Sequence, residues 1–198
     1  MRTQRLIVYM FAACLVSLII GTAMADDERG QFNAFLKGKY QFNISQSCTT
    51  SDVAPGFNGV VSLGPGQTDP VYFTGVITFH GNGTATQTDH GIFLSGVPHG
   101  ALSSPVDTFQ EECQYKYRAS RDGSFSYEGS CTGAGGGGPY KLSSDKWKGQ
   151  IALGGSVLIM NQVVTDVSTL ESLAVPPTFS TQYRICGSVG TLVRIQPQ

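Results

Sequence analysis

The sequence predicts an all-β protein, an antiparallel meander that closes into a small barrel with at most one short helix. Three observations predict it. Apolar and polar residues alternate with a period of two through much of residues 26–198, and Gly, Pro, Asn and Asp punctuate the alternating runs. Runs with a helical period are scarce. The chain also carries 25 glycines and only 14% charged residues, a composition suited to short strands joined by tight turns.

The first residues stand apart from this pattern. Arg2 and Arg5 precede an apolar run over 6–20, and Ala23-Met24-Ala25 supplies a small-x-small cleavage site before Asp26. This predicts a secretory signal peptide over 1–25 and a single β-barrel domain over 26–198. Cys14 lies inside the apolar run and leaves with it. No second apolar stretch of about 18 residues follows, so no membrane span is expected after cleavage. The expected location is secreted, either periplasmic or extracellular. The mature chain has 11 basic residues against 14 acidic, a net charge of −3. Without a basic surplus, nothing draws it to nucleic acid or to an anionic membrane.

The alternation places strands over 38–45, 59–63, 71–80, 83–89, 91–94, 109–119, 124–130, 147–153, 156–164, 181–186 and 191–195. Residues 165–175, TDVSTLESLAV, are the candidate helix, with Val167, Leu170 and Ala174 on one side. Within the strands, one face is aromatic. Tyr40 and Phe42 share a face with Ile44, Phe73 with Ile77 and Phe79, Tyr115 with Tyr117 and Ala119, Phe125 with Tyr127, and Trp147 with Ile151. Such rows serve either as packed core or as the wall of a cavity in a barrel mouth. On the second reading Tyr40, Phe42, Phe73, Phe79, Tyr115, Tyr117, Tyr127 and Trp147 contact an apolar or amphipathic ligand.

Four cysteines remain after processing: Cys48, Cys113, Cys131 and Cys186. Export to an oxidising compartment makes disulfides the expected state. The stretch CQYKYRASRDGSFSYEGSC is two alternating runs about a turn at Arg121-Asp122-Gly123, midway between Cys113 and Cys131. These two cysteines therefore face each other at the open end of a hairpin, which leaves Cys48 for Cys186. Without a Cys-x2-Cys pair, a zinc site of four thiolates is disfavoured. Arg184 shares strand parity with Cys186, so an inward disulfide brings Arg184 inward, where it can hold a ligand carboxylate. Arg194 is expected to fix a loop or to lie at the surface.

Three segments together resemble a known family: GVITFHGNGT (75–84), CQYKYRASRDGSFSY (113–127) and YRICGSVGTLVRI (183–195). They are similar to small secreted bacterial proteins with a calycin-like barrel, of the lipocalin or allene-oxide-cyclase type, most of which have no assigned function. The resemblance runs through most of the mature chain and rests on strand-and-turn patterns. It implies a barrel of about eight strands and brings no catalytic residue with it. The chain departs from the family's pattern at His80, where an Asp usually precedes the Gly-x-Gly turn.

Candidate reactive groups are few. His80, His90 and His99 each precede a glycine at an expected turn, and no His-x-His or His-Glu-x-x-His spacing occurs. The run TGAGGGGPYKLSS (132–144) lacks the Lys-Ser/Thr of a phosphate-binding loop and reads as a loop, either plain or a lid over a barrel mouth. No nucleophile elbow is present. Glu111 and Glu112 are adjacent and point to opposite faces, so they form no catalytic pair. A single acid from Asp107, Glu111 or Glu128 can enter the barrel, where burial raises its pKa. Neither a cofactor nor a metal is expected, and the oligomeric state is open.

The leading expectation is a secreted or periplasmic barrel that binds a small hydrophobic ligand. The alternatives are a cyclase or isomerase acting on a hydrophobic substrate inside the barrel, and an envelope or surface interaction protein with a solid core.

Overall fold

A computed structural model describes residues 32–58, 61–62, 67–94, 106–162, 166–177 and 181–195. Residues 1–25, expected to be a signal peptide, and with them Cys14, lie outside these residues, as does His99. A 3-10 turn, Phe32–Leu36, leads into β1 (Gly38–Ser51), followed by the short pair β2 (Phe57–Asn58) and β3 (Val61–Ser62). Four long strands come next: β4 (Gln67–Phe79), β5 (Thr84–Leu94), β6 (Val106–Ala119) and β7 (Ser124–Gly135). After β8 (Gly138–Ala152) a second 3-10 turn, Leu153–Gly155, precedes β9 (Val157–Gln162), β10 (Val167–Ser172) and β11 (Gln182–Arg194).

Every neighbouring pair in the main sheet is antiparallel, and β11 returns to pair with β1 from Tyr40↔Arg194 to Ser51↔Tyr183. β9 and β10 both lie between β8 and β11, one after the other, so together they occupy one place in the wall. The result is a closed, eight-stranded, antiparallel up-and-down barrel. Among the described residues its only helical pieces are the two 3-10 turns. Closure removes the exposed edges that an open sheet of this length would present.

Both disulfides form between cross-strand neighbours. Cys113 faces Cys131 across β6 and β7, and Cys48 faces Cys186 across β1 and β11. The first lies midway along a hairpin longer than the sequence suggested. The second staples the seam at which the barrel closes, across a sequence separation of 138 residues.

The lower end of the barrel, where β4 turns into β5 and β6 into β7, is solid. Tyr40, Phe79, Leu158 and Leu192 are at most 1% exposed there. The Phe32–Leu36 turn plugs this end with the fully buried Leu36. The plug is held by polar contacts as well. Ala119 donates its N–H to Asn33 Oδ1 at 2.9 Å, and Tyr117 donates its hydroxyl to the Asn33 carbonyl at 2.9 Å. Arg194 donates to the Tyr40 hydroxyl and to the Phe35 carbonyl, so it fixes this end of the barrel. Burial of each large apolar side chain here contributes roughly 1.5–3 kcal/mol.

Three local expectations are corrected. The described part of the candidate helix, residues 166–175, is not helical, because β10 pairs with β8 and β11 and fills a gap in the wall. Ladder hydrogen bonds on both sides outweigh a weak local helix preference. His90 is not in a turn, since β5 runs unbroken through it and points it outward. The glycine-rich segment is not a long loop. β7 continues to Gly135 and β8 starts at Gly138, making a tight hairpin.

Candidate functional site

The upper half of the barrel is hollow. A cavity of about 190 Å³ lies inside it, bounded by residues of β1, β4, β5, β6, β7, β8, β9, β10 and β11. Inward glycines on two strands shape the walls of this space. β7 turns Phe125 and Tyr127 inward below, then Gly129, Gly133 and Gly135 above. A Cβ on Gly133 would sit 2.8 Å from both Tyr140 Cζ and Glu111 Cγ, so the glycine is what lets those side chains meet. Gly91 of β5 makes similar room for Phe109, whose Cζ would lie 2.7 Å from an added Cβ.

A β-bulge then sets the chemistry of the floor. Gly129 pairs with Asp145 and Ser130 with Ser143, which leaves Ser144 unpaired at φ 59°. The extra residue resets the alternation of β8. Tyr140 and Leu142 face inward before it, and Asp145 and Trp147 face inward after it. Without the bulge, unbroken alternation from Leu142 would place Lys146 inside and Asp145 on the outer face.

Asp145 is buried and heavily hydrogen-bonded. Its Oδ2 accepts from the Tyr115 hydroxyl at 2.8 Å and the Trp147 indole N–H at 2.7 Å, and its Oδ1 accepts from Gln162 Nε2 at 2.8 Å. Gln162 in turn accepts from Gln46 and from the Ser188 hydroxyl. Burial raises the Asp145 pKa, while Trp147, Tyr115, Arg184 and Gln162 oppose the rise.

Two further acids stand side by side on neighbouring strands, Asp89 of β5 in register with Glu111 of β6. Burial is the main force raising the Asp89 pKa to about 8, with repulsion from Glu111 and Asp145 added and a hydrogen bond from Gln87 opposing. Asp89 Oδ2 takes that bond at 2.6 Å, but Oδ1 is buried without a partner. Glu111 accepts from the Tyr140 hydroxyl at 2.7 Å through Oε1, and burial raises its pKa too, against that hydrogen bond. Burial and the adjoining Glu111 carboxyl push the Tyr140 phenol well above its ordinary range.

Among the described residues that line the cavity the one cation is Arg184, from β11. Its Nη2 donates to Cys48 Sγ at 3.1 Å, its guanidinium lies 6.0 Å from the Phe93 ring centre, and its Nε is buried without a partner. No ion pair joins it to a carboxylate among the described residues.

Of the residues the sequence singled out as cavity wall, Phe73, Tyr115, Trp147 and Arg184 line the cavity. Tyr40, Phe42, Phe79, Tyr117 and Tyr127 lie instead in the packed core, each at most 2% exposed. Among the single acids considered, Glu111 and Asp107 border the cavity, and Glu128 is exposed on the outer surface. Sequence reasoning missed Asp89, Asp145, Gln87 and Gln162. Asp89 was within reach: an unbroken strand over 84–94 puts Ala85, Gln87, Asp89, Gly91 and Phe93 on one face. Asp145 carried no such signal, because a bulge decides its direction. Glu111 also clusters with Cys113 and Cys131, but the disulfide leaves no thiolate for a metal.

No protein-family model and no curated protein matches the chain. Among solved structures it is similar to an S-type phycobiliprotein lyase from Guillardia theta, at 9% identity and a TM-score of 0.30, over 84% of this chain and 92% of that one. The architecture given above therefore rests on the strand pairing itself.

Proposed function

We propose that this chain is an exported barrel protein that binds a small amphipathic molecule in the upper half of its barrel. The carrying observation is the coexistence, around one cavity, of an aromatic wall and a cation, Arg184, whose buried Nε the protein leaves without a partner. Phe73, Phe93, Phe109 and Trp147 supply apolar contact, and Arg184 and Glu111 supply orientation. An apolar cavity of about 150 Å³ accepts benzene, so this one suits a single ring with a short substituent. In this reading residues 1–25 direct export and are removed, and the mature protein works in the periplasm or outside the cell.

Native mass spectrometry of the protein from its own secretory compartment tests both parts. A chain beginning at Asp26 with an additional small mass, lost on solvent extraction, is the expected result. A chain that retains residues 1–25 overturns the export reading. A bare mature chain that also takes up no added small aromatic compound overturns the binding reading.

A second reading, an isomerase or cyclase, draws support from the Asp89–Glu111 pair. Asp89 holds its proton up to about pH 8, beside an acid that borders the cavity. That is a proton reservoir suited to general acid–base chemistry at neutral pH. Turnover of the extracted compound, lost in Glu111→Gln, separates an enzyme from a carrier. The hollow upper half weighs against an interaction protein with a solid core.

A further inference from the structure

We infer that the ligand of this cavity is a small aromatic zwitterion, such as an amino acid, with its ammonium group on Glu111, its carboxylate on Arg184 and its ring against Phe73, Phe109 and Trp147. The inference rests on the ligand-binding reading and assigns the chemical class.

Two groups of opposite sign stand around one space and do not satisfy each other. On one side Arg184 keeps a buried Nε–H without an acceptor, and Nη2 finds only a disulfide sulfur, a weak one. On the other, Glu111 borders the cavity and accepts from the Tyr140 hydroxyl through Oε1. Beside it, Asp89 is 95% buried and keeps Oδ1 without a donor. A buried donor and a buried acceptor left unmet are each costly, so a ligand that supplies both partners gains more than one that supplies either.

The charge count leads to the same class. Asp107, Glu111 and Asp145 at the cavity outnumber Arg184, the single cation among the described residues there. A ligand that is only an anion meets Arg184 and adds negative charge beside these acids. One that is only a cation meets the acids but leaves the Arg184 Nε–H unmet. A zwitterion serves both and leaves the net charge of the interior unchanged. Asp145, whose two oxygens already accept three hydrogen bonds, needs nothing from the ligand.

Calorimetric titration of the mature protein with three ring-matched compounds tests this: L-phenylalanine, 3-phenylpropionate and 2-phenylethylamine. Phenylalanine is expected to bind about tenfold tighter or more than either single-charge analogue, given two charge-assisted contacts instead of one. Glu111→Gln should bring phenylalanine down to the level of 3-phenylpropionate, and Arg184→Met should bring it to that of 2-phenylethylamine. Thermal melts of both variants without ligand check that they fold, and the wild-type comparison stands without them. If either analogue binds as tightly as phenylalanine, the zwitterion assignment is wrong. If none of the three binds but toluene does, the assignment fails and the cavity-binding reading survives. If toluene does not bind either, both fail.

Discussion

Strand β7 passes through two different environments within twelve residues. At its lower end Phe125 and Tyr127 point inward, with ring centres 6.2 Å apart and planes 5° from parallel; Phe79 packs edge-on against both, and Tyr117 and Tyr40 pack against Phe79. At its upper end the inward positions are Gly129, Cys131, Gly133 and Gly135; Gly129 and Gly133 make room for Tyr115, Glu111 and Tyr140, and Gly135 borders the cavity. The alternation is the same at both ends, but the volumes differ. In the lower half the inward side chains fill the barrel, and polar groups such as the Tyr40 and Tyr117 hydroxyls are hydrogen-bonded. In the upper half they are glycine, carboxyl and amide, and the aromatic residues form a wall instead of a filling. The solid end can therefore carry most of the stability, which lets the hollow end hold buried acids and unmet hydrogen-bonding groups.

The largest effect should come from the seam. Replacing Cys48 and Cys186 together with serine removes a constraint on a 138-residue separation, worth about 5 kcal/mol on the chain-entropy model, against about 3 kcal/mol for Cys113 and Cys131. Urea midpoints of the two double variants should fall in that order, and a reversed order would show that native strain or residual structure dominates.

Next, Phe79→Ala should cost about 3–5 kcal/mol, because its ring packs against four aromatic neighbours in the solid half. Phe93→Ala, at the cavity wall, should cost clearly less and enlarge the cavity. Equal losses would break the distinction between the two halves.

The hollow half should also show itself through pH. Asp89 takes up its proton near 3.8 when unfolded and near 8 in the barrel, so the native state binds more protons between those values. Its contribution to stability is therefore most favourable below about pH 4, declines as pH rises, and levels off above about 8. The slope for this one site is at most about 1.4 kcal/mol per pH unit. Glu111 and Asp145 shift in the same direction. The urea midpoint should be higher at pH 5.5 than at pH 8, and Asp89→Asn should flatten that difference. A wild-type midpoint that rises over this interval would contradict the burial of these acids.

Gly133→Ala should push Tyr140 away from Glu111 and cost about 1–3 kcal/mol through overpacking, with loss of ligand affinity as the more sensitive readout. The smallest change is Ser144→Gly. Relief of a left-handed backbone at φ 59° should stabilise the protein by up to about 1 kcal/mol while the bulge, and with it the inward Asp145, remains.

The sequence by itself determined the barrel class, most of the strands and both disulfide pairings. Those features follow from local alternation and from the symmetry of one hairpin about Asp122, which act within a few residues of where they are read. It also placed Arg184 on the inward face through its parity with Cys186. Only the tertiary structure decided which aromatic rows are filling and which are wall, because that depends on what the facing strands contribute at the same height. Tyr117 and Tyr115 are two residues apart on one face of β6, yet the first is sealed beneath the Phe32–Leu36 plug and the second borders the cavity. Asp145 required the structure for a different reason. One unpaired residue at Ser144 reverses the side to which every later residue of β8 points, and a shift in register exists only between two strands.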